Sequence, residues 1–86
     1  MKILWAPQAV EDFQYWQSHD PKIRARILAL LADITAHPFT GIGKPEPLKY
    51  SRQGYWSRRI DRQHRLVYRV TGNPPVLTIA QCRYHY

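Results

Sequence analysis

The dipeptide Asp20-Pro21 constrains this chain more than any other two adjacent residues. An aspartate carboxylate accepts hydrogen bonds from the first backbone N–H groups of a helix, which have no partner inside it. Proline suits the first helical position, where its missing N–H costs nothing. The pair therefore predicts a helix that opens at Pro21. Downstream, Ile23, Ile27, Leu30, Leu31 and Ile34 recur at helical spacing and form one apolar stripe, with Lys22, Arg24, Arg26 and Asp33 off it. His37-Pro38 closes that helix. Upstream, "APQAVEDFQYWQSHD" reads as a second helix with Pro7 at its first position and Val10, Phe13 and Trp16 on one face. Ala6 is a weak cap for it. Two helices joined this tightly should form an antiparallel hairpin, and their apolar side needs a sheet to cover.

The rest of the chain supplies that sheet. "KILW" reads as a short strand ahead of the first helix, and "GYWSRRI", "HRLVYRV" and "PVLTIAQCRYHY" are β-type segments parted by the turn residues "DRQ" and "TGNP". "FTGIGKPEPLKY", with two glycines and two prolines in twelve residues, reads as the loop after the hairpin. In "HRLVYRV", Leu66, Tyr68 and Val70 alternate with Arg65, Val67 and Arg69, which predicts one buried face and one basic face. "VLTIA" is apolar on both faces, as a central strand is. An odd-length turn would set Arg59 directly across from Arg65, and opposed like charges invite an anion between or over them. Arg58 falls on the apolar register, without a sequence-level reason. The predicted fold is α+β, an N-terminal helical hairpin packed on one face of a small, mostly antiparallel sheet whose other face is concave and basic.

Composition narrows the function. Eighty-six residues suit one domain, taken as 1–86. No apolar run reaches the length of a membrane span. "MKILWAPQ" lacks the apolar stretch of a signal peptide. The single cysteine, Cys82, excludes an internal disulfide and suits a reducing cytoplasm. Thirteen Lys and Arg against six Asp and Glu leave a net charge of +7, which favours a polyanionic partner, either nucleic acid or an acidic protein segment.

Of the carboxylates, Glu11, Asp12, Asp20, Asp33 and Asp61 read as helix-surface, cap or turn residues. Glu46 differs. It stands between Pro45 and Pro47, which stiffen its backbone, and Lys44 and Lys49 flank it. Taken alone it reads as a rigid surface loop. His19 and His37 sit at helix ends. His64 reads as structural or RNA-facing. His85, beside Arg83, Tyr84 and Tyr86, reads alone as a tail residue. No histidine pair has metal-ligand spacing, so neither metal nor cofactor is expected. Metal-free RNA cleavage needs a base for the ribose 2′-OH, cations for the phosphorane and an acid for the leaving 5′ oxygen. Glu46, Arg59, Arg65 and His85 are the right types, and tyrosines offer bases a stacking surface.

"GKPEPLKY", "GYWSRRI", "HRLVYRV" and the terminal "CRYHY", with "LW" near the start and "YWQ" in the first helix, closely resemble the YoeB (Txe/YoeB) toxins of bacterial toxin–antitoxin modules, in the RelE-like superfamily. The similarity covers essentially the whole chain. It implies an mRNA interferase, a ribosome-dependent endonuclease that cuts mRNA in the ribosomal A site and stops translation. It implies Glu46 as general base, Arg65 on the phosphorane and His85 as general acid, leaving a 2′,3′-cyclic phosphate and a 5′-OH. Arg59, Lys49 and Tyr86 would bind and orient the nucleotide, with Lys44 and Arg83 as further RNA contacts. It also implies a YefM-type antitoxin that wraps the toxin, operator DNA bound only through that complex, and toxins able to form dimers. Rival readings are a non-catalytic, ParE-like toxin directed at gyrase and a basic RNA-binding module that stacks bases on Trp56 and Tyr68. The segment "TGNPPVLT" looks longer than is usual in the family.

Overall fold

The computed structural model describes residues 1–84, so His85 and Tyr86 lie outside the described residues. Strand β1 (Lys2–Trp5) leads into helix α1 (Pro7–His19), helix α2 (Pro21–Ala36), strand β2 (Glu46–Pro47), a 3₁₀ turn at Tyr50–Arg52, and strands β3 (Trp56–Arg59), β4 (Arg65–Thr71) and β5 (Val76–Gln81). Asp20 caps α2 as its position predicts: its carboxylate accepts from the backbone N–H of Lys22 at 3.1 Å and of Ile23 at 3.2 Å. Ala6 makes no side-chain cap. The entry to α1 is fixed instead from the sheet, through the Ala6 N–H donated to the Ile79 carbonyl at 2.9 Å.

The strands form one sheet in the order β1-β5-β4-β3-β2, antiparallel except for the parallel pair β1–β5. The helical hairpin covers one face. Ile27, Leu30, Leu31 and Ile34 of α2 meet Leu66, Tyr68, Leu77 and Ile79 of the sheet, and Ala9 and Trp16 of α1 complete the core. Of the expected face of α1, Trp16 is buried and Phe13 packs, partly buried, against the core, but Val10 is exposed, and Ala9 and Asp12 point inward instead. A reading that follows large apolar residues passes over an alanine and a carboxylate, although 9, 12 and 16 share a helical face just as well. The expected loop "FTGIGKPEPLKY" also contains a strand, because Glu46 pairs with Ser57 and Pro47 with Trp56 on the sheet edge. Proline is tolerated there because an edge strand needs no second ladder. The odd turn sets Arg59 across from Arg65, as expected.

Arg58 receives its reason from the tertiary structure. Its side chain is fully buried on the hairpin side of β3. Nη1 donates to Asp33 Oδ2 at 2.5 Å and to the Ile42 carbonyl at 3.1 Å. Nη2 donates to the His37 and Thr40 carbonyls, and Nε to the Tyr68 hydroxyl. Asp33 is therefore not a plain helix-surface residue. It pairs with Arg58 and accepts from the Ile42 N–H, so the two side chains lash the loop after α2 to the helix and the sheet. Gly41, at φ +115°, allows this close approach: a Cβ there would lie 2.0 Å from Asp33 Oδ2. The same loop reaches the sheet where Arg59 N–H donates to the Gly43 carbonyl at 2.6 Å, three residues before Glu46.

Candidate functional site

The register of β2, β3 and β4 brings the expected base, Glu46, and the expected phosphorane-binding cation, Arg65, together. Glu46 and Ser57 are paired residues, so their side chains share the sheet face opposite the helices, as do those of the Arg59–Arg65 pair. Arg65 Nη2 donates to Glu46 Oε1 at 2.6 Å. Its Nε donates to Ser57 Oγ at 3.1 Å, and Ser57 is fully buried. The Arg65 side chain is 13% exposed and that of Glu46 is 53% exposed. A fork held from beneath by a buried hydroxyl thus presents a solvent-facing carboxylate. The anion expected over the opposed arginines is supplied, for Arg65, by the protein itself.

A groove of about 500 Å³ begins at Glu46 and runs along Pro47, Leu48, Lys49, Tyr50, Ser51 and Arg52. Lys49 therefore lines the same depression as the carboxylate. Tyr50 is 91% exposed at its rim. Arg52 Nη2 donates to Gln81 Oε1 at 3.0 Å, which ties the 3₁₀ turn to β5. Arg59 is exposed, and its carbonyl accepts from Arg26 Nη2 of α2 at 3.0 Å. Lys44 is exposed in the loop just before Glu46.

Behind Arg65 the chain returns after β5. Cys82 is anchored at both backbone groups: its N–H donates to Asp12 Oδ2 at 3.0 Å, and its carbonyl accepts from Trp16 Nε1 at 2.8 Å. Asp12 is thus a buried anchor and not a surface residue of α1. Burial, with Asp12 nearby, pushes the Cys82 thiol up to about 12. The Arg83 guanidinium lies 3.5 Å from the centre of the Tyr15 ring and 4.6 Å from that of Tyr84. Tyr84 N–H donates to His64 Nδ1 at 2.7 Å, and its carbonyl accepts from the Arg65 N–H at 3.1 Å. His64 is buried against Trp16, with the rings edge to face 4.8 Å apart, so of its two readings the structural one holds.

Residues 5–86 match the family of the YoeB-like toxin of bacterial type II toxin-antitoxin systems. The chain belongs to that family. It is 50% identical to toxin YoeB of Escherichia coli K12, over the full length of both chains. The solved YoeB/ParE toxin from Agrobacterium tumefaciens superposes with a TM-score of 0.98 at 45% identity, covering 100% of each chain. YoeB from Staphylococcus aureus, solved in a heterotetrameric YoeB–YefM complex, gives a TM-score of 0.90 at 47% identity, covering 100% of this chain and 98% of that one. The protein is thus a YoeB-like toxin with the α+β fold of its relatives.

Among the described residues, Glu46, Arg65, Arg59 and Lys49 share one face of this YoeB-like fold or the groove that opens from it, while Arg83 is stacked on aromatic rings at the edge of α1. Tyr68 cannot stack a base as the RNA-binding-module reading required. It is fully buried, with its hydroxyl donated to the Pro38 carbonyl at 2.8 Å. Ser57, Tyr50, Arg52 and Asp12 escaped sequence reasoning as parts of the site or its support. Ser57 alone left a signal, as a small polar residue that alternation puts on the same strand face as Arg59. No helix among the described residues is long and apolar enough to cross a membrane.

Proposed function

We propose that this toxin is a ribosome-dependent endonuclease that cuts mRNA in the A site of the bacterial cytoplasm and so inhibits translation. The observation that carries the reading is the Glu46–Arg65 contact at 2.6 Å, on a basic face beside Arg59 and at the mouth of the Lys49 groove. The Glu46 carboxylate takes the proton of the ribose 2′-OH, and the freed oxygen attacks the adjacent phosphorus. Charge gathers on the non-bridging oxygens at that moment, and Arg65, already oriented by Ser57, donates to them. The bond from phosphorus to the 5′ oxygen breaks, and His85 supplies the proton that this oxygen needs. The products are a 2′,3′-cyclic phosphate and a 5′-OH. Arg59, Lys49 and Tyr86 hold the nucleotide so that attack is in line. Lys44 and Arg83 contact RNA at the margins.

The regulator is a YefM-type antitoxin, as in the S. aureus complex, and operator DNA is reached only through the paired proteins. The relative also solved as a YoeB dimer favours self-association here. The decisive experiment maps mRNA 5′ ends after purified protein is added to ribosomes stalled with a defined A-site codon. The same mRNA without ribosomes and a Glu46→Ala/His85→Ala double variant run alongside. One cut inside the A-site codon, missing from the variant, is the expected result. Intact mRNA in every lane, with folded protein, overturns the proposal in favour of a non-catalytic toxin.

A further inference from the structure

Tyr84 has φ +64°, in the left-handed region that a residue with a Cβ seldom adopts. Such a conformation persists only where neighbouring groups over-determine it. Here both backbone groups of Tyr84 are held by consecutive residues of one turn, its N–H by His64 Nδ1 at 2.7 Å and its carbonyl by the Arg65 N–H at 3.1 Å. The turn is itself rigid: Asp61 Oδ1 accepts from the N–H groups of Gln63 and His64, and the His64 carbonyl accepts from that of Ile60. Two residues upstream, Asp12 and Trp16 of α1 hold Cys82. The chain is thus pinned at 82 and at 84, within hydrogen-bonding reach of the Arg65 backbone and one residue short of His85.

We infer that His64 is a positioning residue: by accepting the Tyr84 N–H at Nδ1, it holds the left-handed turn from which the last two residues depart. An acceptor at Nδ1 requires a neutral ring with its proton on Nε2. The ring is packed among Trp16, Tyr84 and its own turn, and the charged groups on those elements are Asp61 and Arg62 of the turn, Arg65 at the start of β4, Glu11 and Asp12 of α1, and Arg83. The consequence for turnover rests on the cleavage reading above, through the role given there to His85. A histidine that merely fills space against Trp16 would leave Tyr84 indifferent to the nitrogen. The two possibilities differ in what replaces the ring. Phenylalanine keeps the edge-to-face contact and deletes the acceptor. Asparagine loses the ring but places an amide oxygen near the position of Nδ1.

The test uses the full chain, as wild type, His64→Phe and His64→Asn. Amide hydrogen exchange at Tyr84 and the ¹⁵N shifts of the His64 ring report the contact directly, and single-turnover cleavage on programmed ribosomes reports its consequence. The expected wild type has a protected Tyr84 amide and a His64 ring protonated at Nε2. His64→Phe should lose that protection and on the order of 10²-fold in the cleavage rate, the scale of a small misplacement, with KM little changed. His64→Asn should recover much of both. The inference is overturned if wild-type Tyr84 exchanges freely, which needs no variant to fold. It is overturned equally if His64→Phe cleaves at the wild-type rate, or if His64→Asn falls as far as His64→Phe. A wild type that protects Tyr84 yet cuts no mRNA would sink the endonuclease reading and leave the clamp standing on the exchange data.

Discussion

Replacing Arg58 with methionine should remove a large share of this protein's stability. The guanidinium is fully buried and donates to five acceptors: the Asp33 carboxylate, the His37, Thr40 and Ile42 carbonyls, and the Tyr68 hydroxyl. Methionine fills much of the same volume, so the cost comes from stranded acceptors and not from a cavity. Removing one partner of a buried charged pair costs about 3–5 kcal/mol. At roughly 0.05–0.15 kcal/mol per residue, a domain of this length has only about 4–13 kcal/mol to lose. Urea unfolding followed by tryptophan fluorescence measures the difference. A thermal midpoint should fall by roughly 12 °C or more, since each kcal/mol is worth about 4–8 °C at this size. The loop after α2 should also loosen, and with it the Gly43 contact that leads into β2. Arg58→Lys should recover little, because a single ammonium cannot span the same fork of acceptors. A loss below about 1 kcal/mol for Arg58→Met would refute the claim that this side chain fastens the loop.

Three further outcomes follow from the same contacts. The hydrogen bond from Arg58, aided by the Ile42 N–H, holds the Asp33 carboxyl below its usual 3.8, so the pair stabilises the fold above that pH and the contribution is lost as pH falls through the lower folded value. Urea midpoints taken from neutral to strongly acid pH should fall across that range, and Asp33→Asn should flatten the fall. Cys82 is fully buried and its thiol is pushed up to about 12, so a thiol reagent at mildly alkaline pH should label it only on unfolding; prompt labelling of native protein would contradict its placement. Glu46→Gln should cost roughly 10²–10⁴-fold in cleavage. Its ion pair is half exposed, so stability should change by less than about 1 kcal/mol, and a larger loss in the unfolding midpoint would make Glu46 a structural residue.

Local pattern carried much of the architecture. The Asp20-Pro21 joint and the stripe from Ile27 to Ile34 each depend on neighbours within a turn or two, and each is found where the pattern puts it; the alternation in "HRLVYRV" holds only in part, because Val67 on the expected basic face is fully buried and the register shifts between Val67 and Tyr68. The opposition of Arg59 and Arg65 was legible too, because turn length alone sets hairpin register. β2 was not legible. Two residues between prolines have no period, and they form a strand only because Ser57 and Trp56 lie alongside.

Side-chain roles divided along the same line. By itself the sequence determined the helical hairpin, the three strands that follow the loop, the excess of positive charge, and which residue types could serve as base and phosphate-binding cation. Tertiary structure alone decided that Glu46 meets Arg65, 19 residues away, and that Arg58 reaches back 25 residues to Asp33. It alone turned Asp12 and His64 into anchors for residues 82–84, across separations of 70 and 20 residues. Periodicity reports which face of an element a residue occupies. What waits on that face, and so whether a charge is solvated, paired or buried, is set by segments that packing brings together from distant parts of the chain.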